Sequence, residues 1–194
     1  MAINSTADRL LASGLVQPDQ TTCGSCVLVV ARLLHHPLYA DFLVAGTTQD
    51  RFTHEALATH LVTSGLRGTD GRIQVPWPRA LGTSPWALAR ELTARSGHRY
   101  RARPILPRQR SGLFERIASL ARAGHALPLY VGSRWSPRHI VLVLPTVDLP
   151  SDLVLVYDPA DGRRYPIDGG DFSAGRLDVA GWHLPWGAVL PAGP

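Results

Sequence analysis

The chain has two cysteines, three positions apart in the stretch QPDQTTCGSC, residues 17–26. Thiols at that spacing support three kinds of chemistry. Cys23 and Cys26 can form a dithiol–disulfide couple, supply half of a metal site, or comprise one nucleophile and one bystander. A structural zinc site uses four protein ligands. The sequence has no second cysteine pair, and the nearby His35 and His36 fall where a buried helix should end. A thioredoxin-like couple should follow a buried strand, whereas the preceding GLVQPDQTT is polar and turn-prone. The third reading, a nucleophile at a helix N-terminus, requires a thiolate. A free thiol has a pKa near 8.5, and lowering it to about 4 takes roughly 6 kcal/mol, of which a helix dipole supplies at most about 2. A cationic partner must supply most of the rest, and imidazolium is the usual one.

An imidazole is available at the start of an apolar strand. HIVLVLP (His139–Pro145) and DLVLVYDP (Asp152–Pro159) are joined by a turn-like TVDLPS. A hairpin centred between Asp148 and Leu149 would pair residues whose numbers sum to 297, setting His139 directly opposite Asp158. Opposed side chains share a face with Cβ atoms about 5 Å apart. That places a carboxylate behind an imidazole, with lone-strand-end and turn roles as the bland alternatives for each. Acyl transfer also needs donors for a developing oxyanion, which a glutamine side chain and a backbone N–H can provide. Gln17 lies six residues before Cys23 and Gln20 six before Cys26, so two registers are open.

The elements that must hold these groups are legible in outline. Cys26 to His36 is apolar on almost every side, which marks a buried central helix, and Pro37 stops it. Thr53–Gly65, Gly82–Gly97 and Gly112–His125 carry helical patterns; Ser84 and Pro85 fit the start of the second of these and Gly97 its end. From Ala126 the period changes. Ala126–Gly132, His139–Pro145 and Asp152–Pro159 read as strands, and RRYPI and GAVLP as edge strands. Helices first and strands later predict an α+β fold, taken as a single domain over residues 1–194 with a helical lobe to about 125 and a sheet lobe beyond.

The 194 residues are 45% apolar, enough for a packed core. No apolar run reaches membrane-spanning length, and MAINSTADRLLASGLVQ lacks the pattern of a secretory signal, so a cytoplasmic protein with no membrane contact is expected. The formal charge is +5 and every basic residue is arginine; six of them crowd into RSGHRYRARPILPRQR, Arg95 to Arg110. One aromatic, Tyr100, is interleaved there and no nucleic-acid motif accompanies it, which favours a solvated strand or linker over a nucleic-acid patch. The five tryptophans, Trp77, Trp86, Trp135, Trp182 and Trp186, are assigned by default to packing rather than to a cleft.

At the motifs the sequence resembles papain-like cysteine peptidases, and most closely the double-glycine leader (bacteriocin-processing) peptidases and their stand-alone relatives. QPDQTTCGSCVL, HIVLVLP and VYDPADG carry the resemblance, which extends loosely from Gln17 to about Ile167. It implies a nucleophile helix packed on an antiparallel sheet. Cys23 would be the nucleophile, His139 the general base and acid, Asp158 the group that orients the imidazole, and Gln17 part of the oxyanion hole. The alternative register is similar to papain itself, with Gln20 and Cys26, but Val27 stands where tryptophan is expected and the third group is Asp rather than Asn. Ser25 departs from the proline usual in leader peptidases. The expected activity is thiol-dependent acyl transfer on a peptide or acyl substrate, without cofactor or metal. An acyltransferase, a non-catalytic binding module and a thiol-disulfide oxidoreductase are the alternatives.

Overall fold

The computed structural model describes residues 5–75, 77, 78, 82–146 and 148–193. Val147 in the hairpin connection, and the first four residues of the stretch read for a signal, lie outside them. The architecture is α+β. Seven helices are described: α1 (Ser5–Ala12), α2 (Cys23–His35), α3 (Pro37–Val44), α4 (Thr48–Thr63), α5 (Pro85–Ser96), α6 (Arg110–Arg122) and α7 (Gly169–Ala174). One antiparallel sheet joins β1 (Tyr100–Pro104), β2 (Leu127–Gly132), β3 (Pro137–Val143), β4 (Leu153–Asp158), β5 (Arg163–Asp168) and β6 (Leu184–Pro191), in the order β1-β6-β2-β3-β4-β5.

Local chemistry explains the boundaries that the sequence marks well. Ser84 caps α5 by accepting the Ala87 N–H at 3.2 Å, Pro85 fills the first turn, and Gly97 ends the helix at φ 72°. Asp168 likewise caps α7, accepting from Gly170 and Asp171. Pro37 does stop α2, but it also opens α3 at once, because a proline at the first position of a helix loses no hydrogen bond. Thr53 is not a cap: α4 begins five residues earlier, and the Thr53 hydroxyl accepts from Gln49 inside the helix.

The core gathers around α2. From Cys23 to Leu34 only Arg32 escapes burial, so the helix is enclosed by β3 and β2 on one side and α3, α4 and α5 on the other. Two strand expectations change. GAVLP belongs to β6, an interior strand between β1 and β2, while RRYPI is indeed the edge strand β5. The basic run supplies the other edge, β1, which pairs with β6 and precedes the expected switch near residue 125. No single described helix is long and apolar enough to cross a membrane.

Candidate active site

His139 opens the buried part of β3 and Asp158 closes β4. The register between them differs from the expected one. Leu142 faces Tyr157 and Val143 faces Val156, so paired numbers sum to 299, and Asp158 lies diagonal to His139 rather than opposite it. The turn closed by the Leu153 N–H on Pro150 O moves the hairpin centre one residue along. Moving the centre by one shifts the pairing by two, which keeps both side chains on the same face. Diagonal neighbours remain within reach of long side chains, and His139 Nε2 donates to Asp158 Oδ1 at 2.7 Å.

Asp158 is fixed by the turn that follows it. Its Oδ1 also accepts the Ala160 N–H at 2.8 Å, and its carbonyl accepts from Gly162. The carboxylate is 1% exposed and the imidazole 7%. With Nε2 committed to Asp158, Nδ1 is the nitrogen left for other partners, and Cys23 lies near enough to the ring to contribute to raising its pKa. Burial pulls the His139 pKa down, but the hydrogen bonds with Asp158 and Cys23, and the negative charge those groups carry when ionised, outweigh it and raise it to about 9.

Cys23 is the first residue of α2, where backbone N–H groups lack intrahelical acceptors. No side chain caps this end. Cys26, one turn on, is fully buried, and burial together with Cys23 pushes its pKa strongly up. Both thiols are free.

Gln17 sits on a loop pinned from three directions. The Tyr157 hydroxyl donates to Leu15 O. Gln49 of α4 grips Val16 on both sides, donating to its carbonyl at 2.7 Å and accepting its N–H at 3.1 Å. The Gln17 N–H donates to Pro159 O at 2.8 Å, directly after Asp158. The side-chain amide of Gln17 makes no hydrogen bond among the described residues, and its Oε1 is buried. Gln20, its counterpart in the other register, is exposed.

Three neighbours had no motif to reveal them. Gly82, at φ 69°, passes so close to Cys23 that a Cβ there would lie 3.3 Å from its Sγ. Thr83 presses on Gly24, whose added Cβ would stand 2.6 Å from Thr83 Cβ. Packing therefore requires a glycine at 24. The third is Gln49, whose signal is no more than a polar residue on a helix. Thr83 is itself held by Tyr130, whose hydroxyl donates to its carbonyl at 2.8 Å. Of the tryptophans, Trp77 and Trp86 meet edge to face at 5.0 Å, Trp182 and Trp186 pack against the core, and Trp135 is exposed. Among the described residues no group of three or more His, Cys, Asp or Glu side chains is placed to hold a metal ion.

Compared with family models and with curated proteins, the chain matches none.

Proposed function

We propose that the protein is a cysteine-nucleophile acyl-transfer enzyme on a papain-like frame, acting as a peptidase through a thioester. The observation that carries this reading is the buried hydrogen bond of Asp158 to His139, with Cys23 at the start of α2 among the groups that raise the imidazole's pKa. Asp158 holds the Nε2–H tautomer and so turns Nδ1 to the thiol. Cys23 passes its proton to Nδ1, and Sγ attacks the substrate carbonyl carbon. The Gln17 amide and the Cys23 N–H donate to the resulting oxyanion. The imidazolium then protonates the departing amine, leaving a thioester on Cys23. Water, deprotonated by the same nitrogen, attacks the thioester and frees the acid and the thiol.

Two features support Cys23 over Cys26. Gln17, not Gln20, is tied beside the Asp158–Pro159 turn, and Cys23, not Cys26, is the thiol that helps raise the pKa of His139. The test is turnover of peptide and acyl-thioester libraries by the purified protein. Cleavage lost in Cys23→Ala supports the reading; transfer to an added amine in place of water selects the acyltransferase; no turnover by wild type of any member contradicts it.

A further inference from the structure

The basic run supplies β1, and two of its arginines, Arg103 and Arg108, line a concave surface together with Arg116. A groove of about 530 Å³ lies between the edge strand β1, with Leu190 of β6, and the 3₁₀ turn Pro107–Gln109 with the first two turns of α6. Arg103 reaches it from β1, Arg108 from the 3₁₀ turn and Arg116 from α6. Gly112 leaves the helix wall bare, since nothing stands within 4 Å of where its Cβ would be. Leu113 and Leu190 supply apolar walls.

What sets these three guanidinium groups apart is that they share one concavity; like Arg99, Arg101, Arg122 and Arg138, they hold no carboxylate among the described residues. Arg32, Arg95 and Arg164 elsewhere each hold a carboxylate, at 3.5, 3.1 and 2.7 Å. Among the described residues Arg103, Arg108 and Arg116 have neither an ion pair nor a side-chain hydrogen bond. Three like charges around one concavity repel each other unless an anion sits among them. Guanidinium forks match the oxygens of a phosphate, with two parallel N–H donors each. The volume falls within the range of about 300–1,000 Å³ common for small-molecule sites.

We propose that this groove binds a phosphate-bearing small molecule of nucleotide size through Arg103, Arg108 and Arg116. No aromatic side chain lines it to stack the bases of a nucleic-acid strand. An added peptide strand is also disfavoured on β1, because Pro104 lacks the N–H that such pairing uses. The site lies two strands beyond β2, whereas β3 and β4 carry His139 and Asp158 on the other side, so binding is independent of the thiol.

Calorimetric titration with pyrophosphate and with ATP tests this, in phosphate-free buffer at low salt. Saturable binding is expected, weakening as salt is raised. Arg103→Gln, Arg108→Gln and Arg116→Gln should each weaken it by about tenfold. Arg9→Gln, which removes an exposed charge from α1, should leave it unchanged, as should Cys23→Ala. The unliganded groove variants should melt no lower than wild type, because each relieves repulsion. The proposal is overturned if neither probe binds, if Arg9→Gln weakens binding as much as the groove variants do, or if only oligonucleotides or anionic lipid vesicles bind.

Discussion

Both side-chain contacts of Asp158 fall on one oxygen, Oδ1, so Asn at 158 either keeps its carbonyl oxygen there and loses the charge that steadies the imidazolium, or presents its amide to Nε2, giving up the Ala160 N–H and favouring the opposite imidazole tautomer. Asp158→Asn should leave the fold intact and lower turnover by about 10³- to 10⁴-fold. Asp161→Asn and Asp152→Asn serve as controls: Asp161 bonds only its own turn and Tyr165, and Asp152 offers its carbonyl to Gly169. A larger loss from either control contradicts the assignment of Asp158. The cysteines should divide as their surroundings do. Cys23→Ala should abolish turnover, whereas Cys26→Ala should keep most activity and destabilise by roughly 1 kcal/mol through a small cavity, read from the denaturant midpoint. Residue types and spacing narrowed the candidates to His139, Asp158 and two registers, Gln17 with Cys23 or Gln20 with Cys26, because each carries chemistry that few residues can; the choice of Cys23 and Gln17 rested on the resemblance. Gly82, Thr83 and Gln49 carry no such chemistry of their own. They matter through what the fold brings against them, and no local pattern announces that.

The hairpin of β3 and β4 shows how a sequence argument can miss by a residue and still place a site. A centre between Asp148 and Leu149 makes the connection symmetrical, but the Pro150–Leu153 turn makes it lopsided. Because side chains alternate with period two, the shift kept His139 and Asp158 on one face. Apolar periodicity located β2, β3 and β4, whose residues are mostly buried. It could not define β1 as a strand, since four of its five residues are exposed and lack alternation. The start of α2 packs closely against the Gly82–Thr83 segment. Gly24→Ala would drive a Cβ into Thr83 Cβ and within 3.0 Å of Ile140 Cδ1. That variant should lose about 1–3 kcal/mol in denaturant unfolding, with partial recovery in the Gly24→Ala/Thr83→Gly double variant. An unchanged midpoint in the single variant would show that the two segments separate easily.

At the scale of the molecule, the coupling of His139 to Asp158 and Cys23 makes stability depend on pH. An unfolded histidine titrates near 6.5, and in the fold His139 is raised to about 9. The protonated form is thus the one the fold favours. Its contribution is complete below pH 6.5 and disappears as pH rises through 9, a difference of up to about 3 kcal/mol. The urea midpoint should fall between pH 6 and pH 9.5 in wild type and fall much less in Asp158→Asn; equal falls would place the titration elsewhere. The α+β architecture was legible because a buried helix and three apolar strands dominate the core, while the strand order was not, since it depends on β6 returning between β1 and β2 from the far end of the chain. The central claim is that this architecture delivers one activated thiol. Its most direct test is to incubate the native protein at pH 6 with an electrophilic thiol probe and to map the adduct by mass spectrometry. The account predicts a single adduct on Cys23, formed faster than on a free thiol and slowed in His139→Ala; an adduct on Cys26, or labelling of Cys23 no faster than a free thiol, would contradict it.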